Sequence, residues 1–114
     1  MTEYTINIGK KFSETPSGRY TPEHGEYTGE RFRDDFLVPL LKQNHRLSVE
    51  LDDTEGYGSS FLEEAFGGLI RHRHFTKEEL HERLHIITND EAYKEEIFEY
   101  INDARPGDIP KRRD

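Results

Sequence analysis

Ser59 and Ser60 follow Gly58 at the point where an acidic, glycine-punctuated stretch gives way to an apolar helical pattern. A serine at a helix start lies beside backbone N–H groups that lack intrahelical partners, near the positive end of the helix dipole. A phosphate there is stabilised, which makes Ser59, and next Ser60, candidate phospho-acceptors. The plainer account of the same pair is N-capping, worth on the order of 1 kcal/mol.

His81-Glu82-Arg83-Leu84-His85 fits the pattern H-E-x-x-H, in which two histidines one helical turn apart hold zinc and the glutamate activates water. That geometry needs an unbroken helix, whereas residues 84–88 turn β-branched and strand-like. Glu99 and Asp103 follow on the next helix outside any ligand motif. A zinc-dependent hydrolase working through His81, Glu82 and His85 is therefore a remote alternative, and no catalytic residue, metal or cofactor is assigned. His72 and His74 raise the histidine density, which suits adventitious zinc or nickel binding better than catalysis. Asp52, Asp53 and Glu55 at a strand end suit a metal-assisted acidic pocket, but a supporting lysine on a later strand is missing and turn chemistry explains the aspartates. Arg19, Arg31 and Arg33 flank a glycine-rich region as an anion site or as salt-bridge partners of acidic helices. Arg31 and Arg33, next to Gly29, are second-rank contact candidates. Neither a P-loop nor a dinucleotide fingerprint occurs.

The elements that must position these residues follow from periodicity. Residues 4–8 alternate as a half-buried strand ending at Gly9. Residues 13–29 collect Pro16, Gly18, Pro22, Gly25 and Gly29, so at most a short strand at 19–21 or 26–28 fits between the turns. Residues 30–43 place Phe32, Phe36, Leu37, Leu40 and Leu41 on one helical face, with Pro39 expected to bend or end the hydrogen bonding. Residues 46–51 alternate again as a central strand. Ser59 or Ser60 then caps a helix carrying Phe61, Leu62, Ala65, Phe66, Leu69 and Ile70. Gly67 and Gly68 cost that helix roughly 1 kcal/mol each, which implies close packing of the helix on the sheet. Thr76 with Glu79 opens a short helix to about Arg83, residues 84–87 make a brief strand, and Asn89 or Asp90 caps a last helix. The order predicts an α/β fold, a small mixed β-sheet with helices packed against it.

At 114 residues the chain fits one domain over 1–104 with a flexible C-terminal tail over 105–114. Apolar residues make up 32% and charged residues 35%, so the core is thin and much charge must be solvated. A net charge of −8 argues against non-specific nucleic-acid binding, which Lys111, Arg112 and Arg113 are too few to reverse. The absence of cysteine excludes disulfides and thiolate sites. Neither a signal-peptide pattern nor an apolar run of ~20 residues is found, so no membrane association is expected and the expected address is cytoplasmic.

The stretch Leu-Ser-Val-Glu-Leu-Asp-Asp-Thr-Glu-Gly-Tyr-Gly-Ser-Ser-Phe-Leu-Glu-Glu-Ala-Phe-Gly-Gly-Leu, residues 47–69, resembles the heart of a STAS domain, the fold of anti-sigma factor antagonists. In that family an apolar strand leads through a turn to an Asp-Ser-Ser-Gly motif at the next helix, where a partner kinase phosphorylates a serine. Val49 and Leu51 match the strand and Ser59 and Ser60 the serine pair, while Gly58 replaces the aspartate and Phe61 the glycine. Gly29-Glu30-Arg31-Phe32-Arg33, taken with Gly58-Ser59-Ser60-Phe61-Leu62-Glu63-Glu64-Ala65-Phe66-Gly67, looks more like the STAS-like family of unknown function, over roughly residues 4–104. The resemblance implies a bacterial-type regulatory protein-binding module without enzymatic activity, with Gly58, Ser59, Ser60, Phe61 and Leu62 as its partner-binding edge, and as its partner an ATP-binding serine kinase of the histidine kinase-like ATPase type. The rival from another class is an acidic structural or inhibitory protein that occludes a basic surface of its target, motivated by the −8 charge.

Overall fold

The computed structural model describes residues 2–108; the basic run Lys111 to Arg113 and most of the expected tail lie outside the described residues. Three short alternating segments become β1 (Glu3–Asn7), β2 (Arg46–Glu50) and β3 (Leu84–Ile87), ordered β1-β2-β3 in one sheet. Both pairings are parallel, with Glu3 opposite Arg46 and Leu47 opposite Leu84. The α/β class is as read from the sequence, but the sheet is wholly parallel where a mixed one is expected. β1 and β2 are each followed by a helical crossover that brings the chain back to enter the next strand in the same direction. Alternation puts Ile6, Leu47, Val49, Leu84 and Ile86 on the buried face, while Thr5, His85 and Ile87 stay exposed on the other.

The helices cover that one apolar face. After the single turn α1 (Ile8–Lys11), capped by the Asn7 side chain, residues 13–28 form turns without a regular strand. A first helical rod then runs through α2 (Gly29–Phe32), a π segment (Arg33–Leu37) and α3 (Val38–Gln43). Its wide turn sits just ahead of Pro39. In a regular α-helix the proline ring strikes the carbonyl four residues back, and here the Val38 N–H already reaches five residues back to the Arg33 carbonyl. A second rod is built the same way from α4 (Ser59–Leu62), a π segment (Glu63–Gly67) and α5 (Gly68–Arg73), ending at His74 in the left-handed region, φ 65°. Thr76 and Glu79 complete a capping box for α6 (Lys77–Arg83), and Asp90 caps α7 (Glu91–Asp103).

Phe32, Phe61 and Phe66 are fully buried where the rods meet, and the Phe12 ring packs 5.1 Å from Phe32 and 5.5 Å from Phe36. Burying each such ring stabilises the fold by about 1.5–3 kcal/mol. The rods approach so closely that a Cβ on Gly29 would overlap the Phe61 carbonyl. Alanine normally gains ~1 kcal/mol over glycine in a helix. At this position the sign should reverse: Gly29→Ala is expected to lower stability by roughly 1–3 kcal/mol in urea unfolding, because the rods must separate to admit the methyl group.

Candidate functional site

β2 leads out of the sheet into a loop whose acidic side chains are already engaged. Asp52 accepts the Thr88 hydroxyl at 2.8 Å and the Asn89 backbone N–H at 3.0 Å, which fastens the end of β2 to the start of α7. Asp53 accepts from the Asn7 amide at 2.6 Å, and the Lys10 ammonium stands 3.8 Å away. These contacts hold the C-terminal ends of all three strands together, so Asp52 and Asp53 serve the loop rather than an open acidic pocket. Tyr57 closes it from below. Its hydroxyl donates to the Leu51 carbonyl at 2.8 Å, its ring lies edge-on to Tyr93, and burial pushes the hydroxyl up to about 12.

The loop ends at exposed Gly58, and Gly58 rather than either serine is the N-cap of α4. No side chain caps this helix; the Leu62 N–H reaches the Gly58 carbonyl at 3.3 Å. Ser59 and Ser60 are half-buried in the first turn. Phe61 and Leu62, expected on the contact edge, are instead fully buried. The helix turns them inward onto Phe32 and the sheet, so the accessible edge shrinks to Gly58, Ser59 and Ser60.

Arg31 and Arg33 separate by the same helical logic. Arg31 stays at the surface, 3.4 Å from Asp35 and over the Tyr27 ring. Arg33 points into the protein, is 3% exposed and hydrogen-bonds to the carboxylate of Glu64, itself 0% exposed. That buried placement removes Arg33 from the contact candidates. Glu64 is also reached by Arg19 at 3.0 Å and Arg71 at 3.1 Å, while Glu63 takes Arg19 at 2.5 Å and Arg71 at 2.5 Å. Asp34 joins Arg33 at 2.8 Å and Arg73 at 3.0 Å. Gly68 faces the Arg33 guanidinium and the Glu64 carboxylate, so the glycine pair makes room for ions rather than for the sheet.

Sequence reasoning foresees salt bridges for Arg19 and Arg33 but misses Arg71, Arg73, Glu63 and Glu64 as their partners. The signal is Glu63-Glu64 followed at helical spacing by Gly67-Gly68 and Arg71, small residues between opposite charges on one helix side. Above the network lies an open cleft of about 410 Å³ bordered by Tyr20, Glu30, Arg33, Asp34, His72 and Arg73. Arg33 spends its donors on Asp34 and Glu64, so the cleft floor is already charge-paired.

His81 and His85 do not share a helix. His81 is on α6, its ring 5.0 Å from Phe98 and its Nε2 2.6 Å from the Asn102 side-chain oxygen, whereas His85 is exposed on the open face of β3. Arg83, between them, donates to the carbonyls of Leu41 in the last turn of α3 and of Asn44 and His45 just beyond it. Among the described residues no group of three or more His, Asp or Glu is placed to hold a metal ion.

Two predictions follow from the network. Removing one partner of a buried ion pair leaves the others uncompensated, at a cost of about 3–5 kcal/mol. Glu64→Gln is therefore expected to cost the domain that much in denaturant unfolding. The second concerns acid. Burial opposes ionisation of Glu63 and Asp34, but hydrogen bonds from Arg71 and Arg19, and from Arg73 and Arg33, outweigh it and hold both below their ordinary 4.5 and 3.8. Their stabilisation is present above those values and is lost as pH falls through the lower folded-state values. For His72, desolvation first, and then Arg33, Arg71 and Arg73 against the attraction of Glu64, depress its value below 6.5, so the unfolded chain takes its proton first. The unfolding midpoint should decline from pH 6.5 downward and most steeply below 4.5, with Glu63→Gln flattening the acid limb.

The stretch that brings the two rods, β2 and β3 together is also the one that comparison with known proteins picks out. A family profile described as STAS-like domain of unknown function (DUF4325) matches residues 28–94, more than half of the chain. No curated protein and no solved structure matches. The chain belongs to the family of STAS-like domains of unknown function.

Proposed function

We propose that the chain is a regulatory protein-binding module whose contact edge is the Gly58 end of the second rod and whose switch is Ser59. The observation that supports this reading is the start of α4: an exposed glycine N-cap without a side-chain cap, followed by two half-buried serines. First-turn N–H groups left without a capping oxygen favour an added anion, and the rod behind them spans fifteen residues of helix dipole, 59–73. The STAS resemblance supplies the partner class, an ATP-binding serine kinase.

In the proposed step the γ-phosphoryl group of ATP passes to the Ser59 hydroxyl oxygen, the hydroxyl proton goes to a base of the kinase, and ADP leaves. The phosphate adds about −1.5 to −2 charge beside the Asp52, Asp53 and Glu55 loop. The N–H groups of the helix start hold it, while a partner surface fitted to the neutral serine must now desolvate a dianion. Phosphorylation thus releases the partner.

Incubation with ATP and an ATP-binding serine kinase of the histidine kinase-like ATPase type is expected to add one phosphate by mass spectrometry, lost in Ser59→Ala. Ser59→Asp should weaken the partner complex at least about tenfold in calorimetry, equivalent to ~1.4 kcal/mol, while Ser59→Ala keeps it. No mass shift together with no complex overturns the proposal.

A further inference from the structure

We infer that two copies of the chain pair antiparallel through β1, about a two-fold axis at Thr5, and join their sheets into one. Among the described residues β1 is an edge strand, paired only to β2, and Glu3, Tyr4 and Thr5 are exposed along it. Its register with β2 runs one-to-one from Glu3↔Arg46 to Asn7↔Glu50, without a bulge, and the strand carries neither proline nor lysine. These are devices by which edge strands avoid pairing.

The backbone points the right way. In a parallel ladder, successive residues of an edge strand aim their N–H and C=O alternately at the neighbour and away from it. The Thr2 carbonyl accepts from the Arg46 N–H at 3.1 Å, so even-numbered residues of β1 serve β2, and Glu3, Thr5 and Asn7 face outward. An antiparallel pair centred on Thr5 lets Thr5 exchange both hydrogen bonds with Thr5 of the partner copy. The Asn7 N–H then meets the Glu3 carbonyl of the partner copy.

The side chains also match themselves. The pairing sets Tyr4, 43% exposed on the core side, against Ile6 of the partner copy, an aromatic and β-branched pair at the closer non-hydrogen-bonded spacing. On the open face Thr5 meets Thr5, and Glu3 meets Asn7 with Arg46 already beside it in register. No like charges stand directly opposite. The other edge is less suited: β3 has four residues, and the Leu84 N–H is held by the Leu80 carbonyl of α6. A two-fold contact of this kind uses the same patch on both copies and closes at the dimer. It uses a strand outside residues 28–94 and does not depend on Ser59.

The test is sedimentation equilibrium of the full chain at physiological ionic strength, where repulsion between the two acidic copies is screened beyond ~8 Å. Wild type is expected to dimerise. Thr5→Glu and Thr5→Lys, both at an exposed position, should each weaken association at least about tenfold, because residue 5 faces itself across the axis. Mixing these two variants should restore a dimer containing one of each, and His85→Glu on the opposite edge should leave dimerisation unchanged. A wild type that stays monomeric, a Thr5 variant that still dimerises, a mixture that does not re-pair, or a His85→Glu that abolishes the dimer would each overturn the inference.

Discussion

The Glu64 carboxylate is the constraint on which the fold turns. It lies wholly out of water between two helical rods and takes guanidinium groups from three directions: Arg33 on the first rod, Arg71 on its own rod, and Arg19 from the turn region before them. An ion so buried is tolerated only with its partners in place. That requirement sets the angle between the rods and ties down residues 13–28, which have no strand or helix of their own. It also accounts for sequence features that look unrelated along the chain, namely the Gly-Glu-Arg-Phe-Arg run, the Glu-Glu pair and the double glycine. All converge on one point in space.

Both rods reach that point through a π segment, and the ions sit at these wide turns. Arg33 begins one π segment and Glu64 lies in the other. One extra residue per turn shifts every later side chain around the axis. Leu37 and Leu41 on the first rod, and Leu69 and Ile70 on the second, therefore still face the core beyond the charged turns. Polar and apolar residues on the same rod can in this way both face inward.

Much of this was legible in the residue pattern. The three strands, the Thr76 and Glu79 capping box and the end of α6 at Arg83 emerge close to their expected places, because period and cap chemistry are local properties. Parallel pairing was not legible, since strand direction is decided by crossovers rather than by the strands. Phe61 and Leu62 look like an edge in sequence because they follow the serines, yet their helix phase turns them inward. The serine pair suggests a cap, but the loop arrives with extended backbone at Gly58, one residue early. The first rod is instead capped by Thr28, whose side chain accepts from the Arg31 N–H and which the glycine-rich surroundings concealed. The ionic network was legible only in part: Arg19 and Arg33 read as salt-bridge partners of acidic helices, but which carboxylates they meet is decided by the approach of three separate segments.

The chain has six tyrosines and no tryptophan. Tyr57 and Tyr93 lie with ring centroids 5.3 Å apart, nearly perpendicular, and the Tyr57 N–H contacts the Tyr93 hydroxyl oxygen at 3.3 Å just below the Gly58 edge. Near-ultraviolet circular dichroism of the unlabelled protein therefore carries an optical signature of that loop. Whatever docks on Gly58 or loads Ser59 acts directly above a built-in chromophore pair, so the state of the edge can be watched without attaching a dye.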